Sequence, residues 1–318
     1  MLNNSLTLGE YLEKWLSFYC SSRLAPNTIR GYRVNIYNHI IPHIGDVKLC
    51  NLSPDMIDDL YYQLRCEGLS PTTILYVHAV LRKALNTAMK RRMVTENVID
   101  FVDPPRKQKY KPKFINGELM SKLLEYSKNT ELYIPLLLAL SFGLRRGEIL
   151  GLFWRDINFD MGTITINQTA TFVNNGVEYT SPKTDSSGRV LLMPDSLKVE
   201  LMRWKIRQPR SVFLDVVCTT LDGRLLTSNR FQTLFKRALK ACDLPDMRIH
   251  DLRHSYATLM LENNISPKIV CDILGHSSVD VTLDIYSHVL TTMQKPAVNA
   301  IETVLKSSQL DLDKKKNA

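Results

Sequence analysis

Long apolar runs are missing from this sequence. Nothing in its 318 residues approaches the roughly 18 consecutive apolar residues that a bilayer span needs, and the richest stretch, Leu132 to Phe142, has the length of a buried helix. The first fifteen residues, MLNNSLTLGEYLEKW, have no basic region followed by an apolar segment, so a secretory leader is not expected. Paired cysteines are missing too. The six present (Cys20, Cys50, Cys66, Cys218, Cys242 and Cys271) are scattered with no CxxC spacing. That speaks against a zinc cage or a disulfide framework and for the reduced thiols of a cytoplasmic protein. No internal repeat is evident, and no cluster of carboxylates suggests a bound divalent metal.

What is present is an ordinary soluble composition, 44% hydrophobic and 23% charged, in a chain long enough for two domains of roughly 150 residues each. Lysine and arginine total 41 against 32 acidic residues, a net charge of +9. The excess is shared about evenly between residues 1–112 and the remainder. It fits a polyanionic partner touched by both parts, without identifying one.

The first third reads as a four-helix domain. Leu8, Tyr11, Leu12, Trp15, Leu16 and Tyr19 are spaced for one face of a helix over 7–21. A second helix opens at Ala25-Pro26-Asn27-Thr28 and is expected to reach 41, ended by a turn around Pro42 and Gly45. Ser53-Pro54 and Ser70-Pro71 pair a side-chain acceptor for free amides with a proline whose missing N–H costs nothing there, so helices are predicted over 54–66 and 71–92. Residues 1–102 form this domain, and 103–113, with prolines and five basic residues, form an extended linker. The linker is either a solvated hinge or a strap along a phosphate backbone. Beyond it, 114–306 reads as a mixed α/β domain. Helices are expected at 117–129, 131–142, 196–206, 229–241, 250–263, 267–274 (opened by Ser266-Pro267) and 293–306. Strands are expected at 163–166, 176–179 and 189–192, joined in one small antiparallel sheet. Residues 307–318 read as a frayed tail.

Four local patterns carry chemistry. In Gly143-Leu144-Arg145-Arg146-Gly147-Glu148, Arg145 and Glu148 are three apart, side by side on a helical turn, and the arginine fork matches phosphate oxygens. Alone, a surface arginine at a helix end explains the motif equally well. Lys183, in Ser181-Pro182-Lys183-Thr184-Asp185, lies between two predicted strands, where a hairpin lysine is ordinarily solvated but can also reach into a groove. In His250-Asp251-Leu252-Arg253-His254, His250 and Arg253 can face one target. The four-residue spacing of His250 and His254 invites zinc, but there is no glutamate beside the first histidine and no third ligand. Finally, Gly275-His276 precedes Tyr286 by about ten residues. A lone tyrosine is more often structural than nucleophilic.

In that order, Arg145, Lys183, His250-x-x-Arg253, His276 and Tyr286 resemble the catalytic pattern of the tyrosine recombinases, also called phage-type integrases, with Glu148 at the family's usual acidic position. The resemblance covers almost the whole chain. It implies a helical core-binding domain followed by a mixed α/β catalytic domain, arranged as a C-shaped clamp on duplex DNA. It also implies DNA strand transfer through a 3′-phosphotyrosyl intermediate on Tyr286. Arg145, Arg253 and His276 would stabilise the phosphate. His250 would accept or orient a proton, Lys183 would serve as general acid, and Glu148 would position Arg145 or His250. No metal or other cofactor is implied. Candidate DNA contacts are Arg30 and Arg33 on the second helix, Arg82, Lys83, Lys90, Arg91 and Arg92 on the fourth, and Arg106, Lys107 and Lys109 in the linker. Most of these are expected to touch only phosphates.

The resemblance further implies a tetramer on two DNA sites, with the helix at 293–306 docking on a neighbour, and accessory excision or DNA-bending proteins as possible partners. The long segment from Thr163 to Arg189 is more like phage and conjugative-transposon integrases than the compact Xer recombinases. Many such integrases carry a further N-terminal domain for arm-type sites, whereas this sequence starts at the core-binding region, so either arm sites are not used or that domain lies outside this sequence. The alternatives are a Xer-like resolvase of chromosome or plasmid dimers, a non-catalytic DNA-binding regulator, and a type IB topoisomerase, which shares the chemistry but relaxes DNA with little sequence preference.

Overall fold

The computed structural model describes residues 5–21, 24–106, 113–173, 176–180, 188–209, 215–276 and 278. The chain divides into two compact units, Met1–Lys111 and Pro112–Ala318. It is mostly helical, with small antiparallel sheets confined to the second unit.

In the first unit, α1 (Leu8–Lys14) starts with a reciprocal cap. Thr7 accepts from the Glu10 amide, and the Glu10 carboxylate accepts from the Thr7 amide. α1 widens into a π-helical stretch, Trp15–Cys20. α2 (Pro26–Asn35) does the same over Ile36–Ile40 and runs straight into α3 (Ile41–Ile44). The turn expected around Pro42 and Gly45 therefore begins only at Gly45. The proline sits at the second residue of α3 within this continuous helical run, and the chain leaves the helix at Gly45. α4 (Pro54–Cys66) and α5 (Pro71–Lys90) open on the predicted Ser-Pro pairs, Ser53 capping the Met56 amide and Ser70 the Thr73 amide. Between the helices lies a core of fully buried side chains that includes Leu8, Trp15, Ile36, Ile40, Ile57 and Leu81.

The second unit is built around α7 (Tyr133–Phe142), which packs on α6 (Gly117–Ser127) and α11 (Ile249–Glu262). α7 stops at Gly143 in the left-handed conformation, and a five-residue helix, α8 (Arg146–Leu150), follows at once. The β-strands depart from the sequence expectation. Among the described residues five strands make two sheets. β1 (Ile157–Asn158), β2 (Thr163–Ile166) and β5 (Arg189–Leu192) form one, in the order β1-β2-β5, and β3 (Thr169–Val173) and β4 (Gly176–Thr180) form a separate hairpin. Two short, weakly patterned strands, β1 and β3, escaped the sequence reading, and β3 takes β4 as its own partner. β4 and β5, the strands on either side of Lys183, thus belong to different sheets and do not pair with each other. Lys183 itself, with residues 181–187, lies outside the described residues, as do Lys107, Lys109, Tyr286 and the helix expected at 293–306.

The remaining helices are α9 (Asp195–Arg207), α10 (Ser228–Ala241) and α12 (Pro267–Leu274). Pro267 opens α12 as expected, but the Ser266 hydroxyl makes no capping bond. The core joins Leu123 of α6, Leu136 and Leu138 of α7, Ile149, Ile164, Leu252, and Phe231 and Phe235 of α10, all fully buried. No helix among the described residues is long and apolar enough to cross a membrane.

Gly143 is a tight point of this frame. Its φ is +62°, and a Cβ there would lie 2.6 Å from Leu274 Cδ2 and 3.0 Å from the Tyr256 ring, both buried. Gly68, at φ +83°, has nothing near its Cβ position. Gly143→Ala is therefore expected to cost about 2–4 kcal/mol, from left-handed strain plus overpacking, and Gly68→Ala only the strain of about 1–2 kcal/mol. Calorimetric melting of the two variants checks this, and equal losses would contradict the close packing.

Candidate active site

The site forms where two helices end. α7 terminates at Gly143 and α12 at Gly275, both left-handed, which leaves carbonyls of the last turns pointing past the helix ends. Arginine side chains satisfy them. Arg253, on the first turns of α11 and only 2% exposed, donates from Nη1 to the Gly143 carbonyl (2.9 Å) and from Nη2 to the Leu274 carbonyl (2.7 Å). Arg145, the residue before α8, donates from Nη2 to the Gly275 carbonyl (2.7 Å). Cations at helix C-termini also meet the negative end of the helix dipole. Two guanidiniums expected from sequence to share a target are thus brought to one turn, 274–275, immediately before His276.

Glu148 is buried beneath Arg145. Its carboxylate accepts from the Arg145 amide (3.0 Å) and from Arg145 Nη1 (2.7 Å), closing a cap at the start of α8. A second guanidinium, absent from the sequence reading, completes the cluster. Arg189 of β5, its side chain 7% exposed, reaches the same carboxylate from Nη2 (2.9 Å) and donates from Nε to the Ile273 carbonyl (2.6 Å). Of the two partners proposed for Glu148, the structure supplies Arg145. Its other partner is Arg189, and no bond to His250 is seen. Burial works against the Glu148 carboxylate, but the bonds and charge of Arg189, followed by the bonds from Arg145, outweigh it and hold the carboxyl below its ordinary value.

Three histidines adjoin the arginines. His250 and His254 stand edge to face, ring centroids 5.2 Å apart. His250 is exposed as a residue. Loss of solvent around its ring, then His254 and the Arg253 and Arg248 guanidiniums, push it down to about 4. Burial, then Arg253 and Arg145, push His276 down to about 3. His254 is lowered chiefly by burial, against the pull of Asp251. At neutral pH all three rings are therefore uncharged, able to accept a proton or to donate one neutral N–H. Asp251, fully buried, is committed to Arg248, taking its amide at 2.8 Å and its Nη2 at 3.0 Å. Among the described residues no group of three or more His, Cys, Asp or Glu side chains could hold a metal ion.

The candidate DNA contacts of the first unit are all exposed, but not equally free. Arg30 and Arg33 stand on α2. Arg82 is paired with Asp100 at 2.9 Å. Lys83 donates to the Tyr32 hydroxyl at 3.2 Å, and Arg91 lies 4.8 Å from the centre of the Tyr19 ring. Lys90 closes α5, and Arg92 follows it with φ +57°. In the linker, Arg106 is exposed.

Comparison with known proteins agrees with this layout. The phage integrase family model matches residues 113–293, and the phage integrase N-terminal SAM-like domain matches 7–64. A XerC-like tyrosine recombinase of Caldanaerobacter subterraneus is 28% identical, over 94% of this chain and 83% of its own length. The ICEBs1 integrase of Bacillus subtilis is 25% identical, over 90% and 80%. Among solved structures, the Tn1549 transposon integrase bound to transposon right end DNA superposes with a TM-score of 0.78 at 20% identity, over 88% of this chain and 95% of that one. A lambda integrase dimer on a core site gives 0.72 at 20% identity, with the same coverage. These likenesses show a shared fold.

The lowered histidines set a pH dependence. A ring held below its unfolded value of about 6.5 contributes stability that is full above that value and lost as pH falls toward its folded value. Melting temperature is expected to fall between pH 7 and 5, and His276→Asn to make that slope shallower. An unchanged slope in the variant would contradict the burial of His276 against the two arginines.

Proposed function

The chain belongs to the phage integrase family, and from that we propose that it is a tyrosine recombinase performing site-specific DNA recombination, integrating and excising a mobile element. The observation that carries the reading is the convergence of Arg145 and Arg253, with His276, on one turn. Two permanently charged forks beside neutral imidazoles suit the non-bridging oxygens of a phosphodiester, where charge grows in the transition state.

In this mechanism the Tyr286 hydroxyl attacks the scissile phosphorus and its proton passes to neutral His250. The Tyr286 Oη–P bond forms as the P–O5′ bond breaks, and Lys183 protonates the departing 5′-oxygen. The 3′-phosphotyrosyl bond conserves the energy of the broken link. A 5′-hydroxyl from a second strand reverses the same steps, consuming neither ATP nor water. The N-terminal unit grips the duplex through α2, α5 and the basic linker, and residues 114–306 do the chemistry. Four protomers act on a pair of sites, with the segment at 293–306 joining neighbours, as a tetramer form of lambda integrase on a Holliday junction suggests.

The separate β3–β4 hairpin lies within the segment that the sequence likened to phage and transposon enzymes, and favours an element integrase on that ground. The Xer-like reading draws on the XerC-like and XerD relatives. Capturing DNA covalently attached to the protein in cells carrying the candidate element, and sequencing it, separates them. Attachment at element ends and insertion loci is expected, and a single chromosomal locus would favour the resolvase. Tyr286→Phe should bind DNA and trap none of it, and an adduct that persists would remove Tyr286 as nucleophile. Arg145→Ala and Arg253→Ala should each slow adduct formation by about a hundredfold or more, on the order of 3 kcal/mol, in single-turnover cleavage of the captured site. Near wild-type cleavage would remove that arginine from the mechanism.

A further inference from the structure

We propose that Arg189 is a positioning residue for strand cleavage: it neutralises Glu148 so that the charge of Arg145 stays available to the scissile phosphate. The inference rests on the recombinase reading. Its basis is the sharing of one carboxylate by two guanidiniums. Glu148 receives Arg145 Nη1 and the Arg145 amide from one side and Arg189 Nη2 from the other. Arg145 and Glu148 alone would form a neutral pair, a poor receiver for an anion. With Arg189 the cluster carries one net positive charge.

The two arginines are not equivalent. Arg189 is 7% exposed, and its donors are turned inward onto Glu148 and the Ile273 carbonyl. Arg145 is 37% exposed. The excess charge can therefore reach a ligand through Arg145, while Arg189 remains buried behind it.

Arg189 also fixes geometry. Through Ile273 it ties β5 to the last turn of α12, and a Cβ on Gly275 would lie 2.8 Å from Arg189 Nη1. The guanidinium thus packs against the residue whose carbonyl holds Arg145 and which precedes His276. Removing a single partner from a buried ion pair leaves an uncompensated charge and is strongly destabilising. Removing the charge of Glu148 as well should relieve that penalty, and a glutamine at 148 still offers an acceptor to Arg145. A side chain that merely filled space would show no such recovery.

The test compares wild type, Arg189→Gln, Glu148→Gln and the double variant. Adduct formation is measured in a single turnover on a nicked duplex of the captured site, with affinity for the same duplex measured separately. Arg189→Gln is expected to lose about tenfold or more in cleavage rate, the scale of a lost charge-assisted contact, with affinity little changed. The double variant should regain most of that loss. A double variant as slow as Arg189→Gln or slower, or an Arg189→Gln that cleaves like wild type, would overturn the proposal.

Melting curves give a second arm that needs no activity, so a wild type that forms no adduct would count against the recombinase reading while this arm still judges Arg189. The wild-type carboxyl, held low, contributes stability that is full above about pH 4.3 and lost below it. The deficit of Arg189→Gln should therefore be largest at neutral pH, narrow as pH falls through the carboxylate range, and lose that pH dependence in the Glu148→Gln background. A deficit independent of pH would overturn the charge role. Should Arg189→Gln not fold, the double variant decides alone. Folded and cleaving, it supports the proposal, and unfolded or inert, it overturns it.

Discussion

The site depends on one interaction, the donation of guanidinium N–H groups to the carbonyls left over where α7 and α12 end. A helix end has carbonyls with no partner in the helix. Here two glycines in the left-handed conformation turn the chain away so abruptly that those carbonyls face inward, and Arg253 and Arg145 fill the gap. The same bonds that satisfy the backbone fix the direction of the forks. Orientation is built in before any substrate arrives, which is what electrostatic stabilisation of a developing oxyanion requires.

Around that pair, burial does two opposite things. It strips protons from His250 and His276, so the imidazoles adjoin the guanidiniums without adding to their charge. It penalises the Glu148 carboxylate, which survives as an anion only because two arginines share it. The cluster thus keeps its positive charge on groups that cannot lose it, and keeps its titratable groups neutral, as the proposed phosphate role requires.

Most helices were legible because their ends are written in local chemistry. Ser53-Pro54 and Ser70-Pro71 opened α4 and α5 where predicted, and Gly143 and Gly275 closed α7 and α12. The pairings of Arg145 with Glu148 and of His250 with Arg253 were legible too, since residues three apart on a helix share a face, whereas His276 was marked only by the family resemblance. The sheets were less so. β1 is two residues long and β3 lacks a clean alternation of apolar and polar residues, so the pairing partners of β2 and β4 could not be read from pattern. Arg189 was hidden by its own strand. Val190 and Leu192 look like the core face of Arg-Val-Leu-Leu, yet they are 65% and 78% exposed, and it is Leu191, on the same side as Arg189, that is buried. In so short a strand with apolar residues on both faces, period two does not choose which face is inside. The long-range partner Glu148 settles the question, and nothing near position 189 announces it.

The central claim is that Tyr286 is joined to DNA phosphate at the site formed by Arg145, Arg253 and His276. Mass spectrometry of the proteolysed covalent complex, formed on a nicked duplex of the captured site, tests it most directly. The account predicts a nucleotide attached through phosphate to the peptide containing Tyr286, formed by wild type and lost in Arg253→Ala. A nucleotide on any other residue, or an adduct on Tyr286 that forms at the wild-type rate without Arg253, would contradict it.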